Sequence, residues 1–168
     1  MMIILSSFHS RSLSSAMSAM QNLSLHVGLW QAASGMLERS WRKGLDVMVA
    51  AWSPDDRLLA FSGDDGVVRI VDTAGVEQVR YCGHSDIVWT MAFSPDARYM
   101  ASAGYDRSVH DWEVDSGEIL YVFGGHSGWV NSVAWSPDGT RIASGDGERV
   151  IVVHAFAGND ERRAGVEV

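Results

Sequence analysis

The chain has 168 residues, of which 46% are hydrophobic, and a formal net charge of −8 at neutral pH. This composition is typical of a protein that packs a sizeable core rather than of a disordered chain. The acidic balance argues against a nucleic-acid binder, which normally carries a basic stripe that follows phosphates. No apolar run approaches the roughly 18–20 residues needed to cross a bilayer. We therefore expect neither a nucleic-acid nor a membrane partner.

The N-terminal segment differs from the rest, because the first 24 residues contain eight serines and one charged residue, Arg11. Its apolar start is too short, and lacks a preceding basic residue, for a secretory signal. Two interpretations stay open: an organelle transit peptide, or degraded strands at the start of the first repeat, which we favour. The single cysteine, Cys82, suits a reducing compartment. We expect a cytoplasmic protein, with organelle targeting by residues 1–23 as the alternative.

The clearest unit in the chain is the stretch from Gly83 to Phe123. It contains four short apolar runs separated by the turn sequences Ser-Pro-Asp, Gly-Tyr-Asp and Asp-Ser-Gly. Short runs between such turns predict a four-stranded antiparallel meander rather than helices. One such sheet has an apolar face that it cannot bury alone, so it needs neighbours.

The same landmarks recur at a fixed period. Ser-Pro-Asp begins at Ser53, Ser94 and Ser136, with spacings of 41 and 42 residues, and follows an aromatic residue each time. Gly-His at 83–84 returns 42 residues later at 125–126, and the text around Trp30 extends the register upstream to about residue 24. Several landmarks that share one period indicate structural repeats.

These motifs resemble the WD-repeat β-propeller family, whose repeats of about 40–45 residues have Gly-His near the start and Trp-Asp near the end. The resemblance implies an all-β, incomplete propeller with three four-stranded blades and part of a fourth. We expect a weakly structured or degenerate segment at 1–23, a propeller arc at 24–158 and a charged tail at 159–168. Within the arc, a partial blade spans 24–41 and blades span about 42–82, 83–124 and 125–158. Because propellers close with about 4–8 blades, we predict a fragment of a longer propeller, with self-association to complete a ring as the alternative.

The resemblance also implies a buried, hydrogen-bonded relay of His84, Ser102, Asp106 and Trp112. The His84 imidazole is expected between the Asp106 carboxylate and the Ser102 hydroxyl, and Ser102 is expected to contact the Trp112 indole N–H. Such buried polar groups are tolerated only when all are satisfied. The other blades depart from this pattern. The preceding blade has Lys43, Phe61, Asp65 and Val71, and the last keeps His126 and Ser144 but has Gly147 and Val153 in place of aspartate and tryptophan.

Signatures of catalysis are scarce. Cys82 has no partner motif, the histidines lack metal-ligand spacing, and the paired acids lie in turns that favour aspartate for local hydrogen bonds. Neither a G-x-S-x-G sequence nor a phosphate loop is present. We predict no catalytic residue, cofactor or metal site, and no enzymatic activity. His110 alternates with Val109 and is predicted to face solvent.

The functional prediction concerns one face of the propeller. In the family, residues just before the first strand and in the turn between the second and third strands line this face. The matching positions are Asp46, Ile87 and Trp129, with Asp86 adjacent, and Asp64, Tyr105 and Asp146 in the turns. Tryptophan and tyrosine dominate binding energy at interfaces, and the interleaved acids favour a basic segment.

We therefore predict a non-enzymatic scaffold that binds a protein or peptide through this face. The alternative is a propeller-type hydrolase or small-ligand binder that uses carboxylates near the central channel. Trp52, Phe93 and Trp135 are predicted to lie in the core between blades, and Trp89 is predicted to pack beside the next blade.

Overall fold

The computed structural model of the chain describes the backbone of residues 3–6, 26–31, 34–42, 46–148 and 150–156, with side chains for residue 31 and residues 34–36, 46–148 and 150–156. Every regular element in these ranges is a β-strand, and none of them contains a helix long enough to cross a membrane. The strands are β1 (Ile3–Ser6), β2 (His26–Gln31), β3 (Leu37–Arg42), β4 (Val47–Trp52), β5 (Leu58–Gly63), β6 (Val68–Asp72), β7 (Glu77–Tyr81), β8 (Val88–Phe93), β9 (Tyr99–Gly104), β10 (Val109–Glu113), β11 (Ile119–Phe123), β12 (Val130–Trp135), β13 (Arg141–Asp146) and β14 (Ile151–Ala155).

The strands form four sheets in chain order. Sheet I contains β1–β3, sheet II β4–β7, sheet III β8–β11 and sheet IV β12–β14. Sheets II, III and IV are antiparallel meanders in which each strand pairs with the next along the chain. This arrangement confirms the predicted all-β fold of repeated meanders.

Sheet I departs from the meander. β2 and β3 are antiparallel, as expected for the last two strands of a partial blade, but β1 pairs with β2 in parallel. A parallel neighbour cannot follow from a short turn and needs a long crossover connection, which matches the 19 residues between Ser6 and His26. The rest of the predicted N-terminal segment, Lys43 and the predicted tail at 159–168 lie outside the described residues.

The Ser-Pro-Asp turns explain why the first strand of each unit stops where it does. The hydroxyl of Ser94 donates to the Asp96 carboxylate over 2.5 Å and accepts the Tyr99 backbone N–H over 2.9 Å. Sheets II and IV repeat the serine–aspartate bond at 2.6 Å in each turn. The next residue has a left-handed backbone in all three turns, as Asp56, Ala97 and Gly139 have φ of 59°, 60° and 70°.

The core lies between successive sheets, where one sheet presents small or β-branched residues and the following sheet presents larger ones. Between sheets II and III, the cluster contains Ala60, Val68 and Ile70 on one side and Val88, Met91, Phe93, Met100 and Trp112 on the other. Between sheets III and IV, it contains Ala101, Ala103 and Val109 facing Val130, Val133 and Ile142. Each sheet therefore buries its apolar face only against its neighbour.

Two of the three aromatics before Ser-Pro-Asp belong to these interfaces, as predicted. Phe93 is buried between sheets II and III, and Trp135 packs between sheets III and IV. The Trp135 indole Nε1–H also donates to the Ala92 carbonyl over 3.0 Å, which joins two neighbouring sheets. Trp52 packs on the opposite face of sheet II, with Leu59 and Phe61.

The left-handed turn position gives a stability prediction. A left-handed conformation costs an L-residue about 1–2 kcal/mol, of which the entropy of glycine in the unfolded chain offsets roughly half. Gly139→Ala should therefore lower the free energy of unfolding by about 0.5–1 kcal/mol, although a methyl group there makes only an ordinary 3.6 Å contact with Pro95. Ala97→Gly should raise it by a similar amount. Urea unfolding of both variants measures these changes. A change of the same sign in the two free energies of unfolding would contradict the prediction.

Candidate functional site

Backbone hydrogen bonds hold the predicted face together. In each of sheets II, III and IV, the residue before the first strand accepts a bond from the turn between the second and third strands. The amides of Asp64, Tyr105 and Gly147 donate to the carbonyls of Asp46, Ile87 and Trp129 over 3.1, 3.0 and 3.1 Å. We call these residues, with Asp86, Trp89 and Glu148, the rim. Asp146 was predicted at the turn position of sheet IV, and this was wrong because Gly147 occupies it.

Three aromatic rings of the rim stack on one another across sheets III and IV. The Tyr105 ring lies 4.5 Å from the Trp129 ring, with 11° between the planes, and 5.6 Å from the Trp89 ring, with 24° between the planes. Trp89 is 43% exposed and Trp129 is 55% exposed. We call these three residues the aromatic stack. The structure thus brings together the predicted pair Tyr105 and Trp129.

Trp89 was missed as a member of the face, since it was predicted to pack beside the next blade. The cause is a β-bulge, because Val88 pairs with Gly104 and Thr90 pairs with Ala103, which leaves Trp89 without a partner across the strands. A bulge redirects a side chain away from the regular alternation. Gly104 allows this geometry, because a Cβ there would lie 2.0 Å from the Ile87 carbonyl oxygen. The sequence gives one signal of this bulge. Val88 and Met91 are both apolar, although regular strand alternation would place residues three apart on opposite faces of the sheet.

Acidic residues flank the aromatic stack. Asp46, Asp64 and Asp86 are exposed, as is Glu148, whereas Ile87 is half-buried. The turn of sheet II touches the loop before β8, since a Cβ on Gly66 would lie 2.7 Å from the Asp86 carbonyl oxygen. The rim is therefore continuous from sheet II to sheet IV.

The relay residues of sheet III lie within hydrogen-bonding distance in the order that the family resemblance implies. The Trp112 indole N–H donates to the Ser102 hydroxyl over 3.0 Å, and Ser102 lies 2.8 Å from His84 Nε2. His84 Nδ1 lies 2.7 Å from the Asp106 carboxylate. With His84 neutral, Ser102 donates to Nε2 and Nδ1–H donates to Asp106, so this chain of donors ends on the carboxylate.

A second chain of donors reaches the same carboxylate and was not predicted. The Tyr81 hydroxyl lies 2.7 Å from His110 Nδ1, and His110 Nε2 lies 2.8 Å from the Ser108 hydroxyl. Ser108 donates to Asp106 over 2.7 Å. His110 was predicted to face solvent, and this was wrong. The residue is buried, since its strand is covered on both faces.

Stacked rings join the two series of hydrogen-bonded side chains into one cluster. The Tyr81 ring lies 4.4 Å from the Trp112 ring with 3° between the planes, and the His84 and His110 rings lie 3.8 Å apart. Burial lowers the pKa of His110 to about 4. Burial alone would raise the pKa of Asp106, but the hydrogen bonds from His84 and Ser108 outweigh it and hold the pKa well below its ordinary value. The cluster therefore centres on the Asp106 carboxylate, which accepts hydrogen bonds from two directions.

Sheet IV contains a shortened version of the relay. His126 lies 2.8 Å from Ser144 and 3.1 Å from Asp146, whose carboxylate is fully buried. Gly147 was predicted to replace the relay aspartate, and this was wrong because Asp146 at the end of β13 supplies the carboxylate. For the same reason Asp146 is not available on the partner-binding face. Val153 was predicted at the position of Trp112, and this was wrong by one residue, because His154 pairs with Ile142 as Trp112 pairs with Met100. No indole therefore donates to Ser144.

Sheet II has other residues at the relay positions. Phe61 replaces the serine and is buried, and Asp65 forms an ion pair with Arg69, which occupies the position of His110. The Arg69 guanidinium also donates to the Val67 carbonyl. The hydrogen bond from Arg69 lowers the pKa of Asp65. This pair is partly exposed, unlike the sheet III cluster.

The cluster is a poor metal site despite its residue types. His84, Asp106 and His110 place ligand atoms within 4.8 Å of one another. All of these nitrogen and oxygen atoms already take part in hydrogen bonds within the cluster. A metal ion would have to break these bonds in a closed core. We therefore interpret the cluster as a hydrogen-bonded part of the core rather than as a metal site.

A groove away from the rim is acidic, but no histidine or cysteine lines it. It has a volume of about 550 Å³ and is lined by Asp55, Asp56, Arg57, Leu58, Asp72, Thr73, Asp96, Ala97 and Asp115. Asp55 and Asp96 accept hydrogen bonds from their own serine-containing turns. These carboxylates therefore stabilise turns.

The converging donors predict that Asp106→Asn costs more than Asp65→Asn. An amide at position 106 loses the charge that two donor chains share in the core, and such a loss costs about 3 kcal/mol or more. The Asp65→Asn variant would keep an acceptor for Arg69, which also retains the Val67 carbonyl, so we expect a cost of about 1 kcal/mol. Urea unfolding measures both, and equal costs would contradict the role of the cluster.

The low pKa of His110 predicts a pH dependence. The folded pKa of about 4 lies below the ordinary value of 6.5, so the unfolded chain binds more protons between these values. Stability should therefore fall by up to about 1.4 kcal/mol per pH unit as the pH drops from 6.5 towards 4. The His110→Val variant should be less stable at neutral pH because Tyr81 loses its hydrogen-bond partner. Its free energy of unfolding should, however, fall less steeply as the pH drops. Unfolding measured at about pH 7, 6 and 5 checks it, and an unchanged slope in the variant would refute it.

Comparisons with known proteins agree with this fold. A sequence model of the family described as WD domain, G-beta repeat matches residues 40–72, 75–110 and 117–154. Coronin-7 of Mus musculus is 33% identical over 113 residues, which cover 61% of this chain and 12% of coronin-7. Telomerase Cajal body protein 1 of Homo sapiens is 34% identical over 135 residues, covering 71% of this chain and 24% of that protein.

Two further comparisons give the same result. A chromatin assembly factor 1 subunit of Mus musculus is 28% identical over 130 residues, covering 64% of this chain and 23% of its own length. The solved structure of U3-55K superposes with a TM-score of 0.64 at 25% identity, covering 67% of this chain and 36% of that chain. The chain spans only 12–24% of the length of these curated relatives. The family model matches more than half of the chain, and the chain therefore belongs to the WD-repeat family.

Proposed function

We propose that this chain is a non-enzymatic scaffold that binds a protein or peptide partner through its rim, with a basic segment preferred. The observation that carries the proposal is the aromatic stack of Trp89, Tyr105 and Trp129. Two exposed tryptophans that stack on the same tyrosine form an apolar surface that is uncommon without a binding role, and tryptophan and tyrosine are among the commonest hot-spot residues.

The aromatic stack is already ordered before a partner arrives. Its rings support one another, the Tyr105 and Trp129 backbones lie in the rim hydrogen bonds, and the bulge fixes the direction of Trp89. Ordering a flexible side chain on binding costs about 0.5–1.5 kcal/mol, so a preformed surface binds more tightly than a mobile one of equal area.

The charge of the rim favours arginine over other partner groups. A guanidinium can lie over the open face of a tryptophan ring within about 6 Å and still pair with a carboxylate. Asp86 and Glu148 are exposed acids on the same rim, and they outnumber Arg107, the exposed basic residue in the turn that carries Tyr105. The net charge of −8 also attracts a basic segment over longer distances.

The relatives support an interaction role at the family level. One of them is named as a subunit of a chromatin assembly factor, which is the name of a protein that works within a complex. We further propose that the arc corresponds to part of a longer propeller, because ring closure takes about 4–8 blades. The hydrolase alternative receives little support, since the carboxylates of Asp106 and Asp146 belong to relays and that of Asp111 contacts His154.

The rim proposal can be tested with short synthetic peptides. Three fluorescent peptides of about 12 residues would consist of glycine and serine apart from three charged residues. These residues are arginines in the first peptide, lysines in the second and glutamates in the third. We expect the arginine peptide to bind best and the glutamate peptide not to bind. Trp129→Ala should weaken arginine-peptide binding at least tenfold, which corresponds to about 1.4 kcal/mol.

The matched control is Tyr121→Ala. Tyr121 is an aromatic residue of similar exposure, 47%, on the outer strand β11 and away from the rim. This variant should bind the arginine peptide as the unmodified chain does. Equal losses in both variants, or equal binding of the glutamate peptide, would reject the rim as the binding surface.

A further inference from the structure

The aromatic stack has a defined order along the rim. The Tyr105 ring stacks on both indoles, with 11° between its plane and that of Trp129 and 24° between its plane and that of Trp89. Each face of a phenol ring has room for one stacked indole, so Tyr105 is the middle ring. Tyr105 is accordingly half-buried, whereas Trp89 and Trp129 are 43% and 55% exposed. The outer faces of the two indoles are therefore the surfaces that a partner can reach.

Charged residues alternate in sign across the turns that carry the rim. Asp64 lies in the turn of sheet II, and Asp86 lies against that turn, since a Cβ on Gly66 would lie 2.7 Å from the Asp86 carbonyl oxygen. Arg107 lies in the turn of sheet III, and Glu148 lies in the turn of sheet IV. All four charged residues are exposed. The order from sheet II to sheet IV is therefore acidic, basic and acidic.

An acid lies at each end of the aromatic stack. Trp129 belongs to sheet IV, so Trp89 forms the opposite end of the stack, on the side of Asp86 and sheet II. Glu148 lies beside Trp129, since its Cγ atom would lie 2.9 Å from a Cβ on Gly128, the preceding residue. A guanidinium that lies over an indole can also pair with a carboxylate. The rim therefore offers two places for an arginine, one at each end.

The size of the stack sets the distance between these two places. Successive ring centroids are 5.6 and 4.5 Å apart, so the two indoles lie roughly 10 Å from each other. A guanidinium lies within about 6 Å of the ring that it covers, so two of them are separated by roughly 20 Å. An extended chain advances about 3.3 Å per residue, and its alternate side chains point to the same side. Two arginines about six residues apart meet both conditions.

On the basis of the proposed binding role of the rim, we propose that the partner is an extended protein segment with two arginines about six residues apart and a neutral or acidic residue midway. One arginine lies over Trp89 and pairs with Asp86. The other lies over Trp129 and pairs with Glu148. The midway residue faces Arg107, which repels a basic side chain and attracts an acidic one. Binding at one end raises the local concentration of the second arginine at the other end.

The test uses the full chain and three fluorescent peptides of identical composition, each with two arginines and one glutamate among glycines and serines. The first peptide has the arginines about six residues apart and the glutamate midway. The second has adjacent arginines, and the third has the arginines of the first but the glutamate at one end. We expect the first peptide to bind at least about fivefold more tightly than the second, because adjacent arginines reach only one end of the stack. It should bind about threefold more tightly than the third, which lacks the contact with Arg107.

Two protein variants test the charged contacts separately. Arg107→Gln should remove the preference for the first peptide over the third, and Glu148→Gln should weaken binding of the first peptide about threefold. The matched controls are Arg57→Gln and Asp115→Asn, which make the same changes in net charge at exposed residues of the groove at the other end of the strands. Both controls should leave the order and the ratios of the three affinities unchanged. Circular dichroism and urea unfolding would establish that each variant is folded.

Three results would overturn the inference. Equal binding of the first and second peptides would show that charge alone, and not the spacing of the arginines, is recognised. If Trp129→Ala still weakened both of them, the rim would remain the binding surface and only the two-arginine inference would be wrong. A preference for the first peptide over the third that survives Arg107→Gln would contradict the midway contact. The absence of binding of all three peptides would reject the inference together with the rim.

Discussion

The structure depends on contacts between successive sheets, since no sheet of this chain can bury its apolar face by itself. Each interface places small residues, such as Ala101 and Ala103, against larger ones of the following sheet, such as Val133 and Ile142. Because the two faces of sheet III differ, the packing has a direction: one face contacts sheet II and the other contacts sheet IV. A loss at one interface therefore weakens the neighbouring sheets as well, as in other repeat proteins.

Sheets II, III and IV differ in the hydrogen bonds and ion pairs of their buried polar side chains. Sheet III combines the stacked rings of Tyr81 and Trp112 with a carboxylate that receives donors from two directions. Sheet IV retains a His126–Asp146 contact without an indole donor, and sheet II has the Asp65–Arg69 ion pair. The repeats thus share a backbone and differ in how they satisfy one buried position. Such differences are tolerated because a network is costly only when part of it is left unsatisfied.

The repeat period and turn motifs were sufficient to predict the all-β fold, the meander of each sheet and the aromatics between sheets. They were not sufficient where the chain departs from strict periodicity. Asp146 lies two residues after Ser144, whereas Asp106 lies four after Ser102, so a step of 41 residues from Asp106 pointed to Gly147 instead. His110 looked exposed because strand alternation does not reveal that both faces of β10 are covered. In the site, Tyr105 and Trp129 followed from the family pattern, but Trp89 required the bulge to be seen.

That bulge recurs in sheets II, III and IV, at Met48, Trp89 and Asn131 respectively. The extra residue has no partner across the strands, so its identity is not constrained by the ladder or by the apolar interface. Three chemically unrelated side chains occupy the position without any change in the surrounding backbone pairing. Each of these three sheets therefore has one position whose side chain lies outside the strand ladder, and under the proposed binding role a propeller with many repeats has as many positions at which its surface chemistry can change.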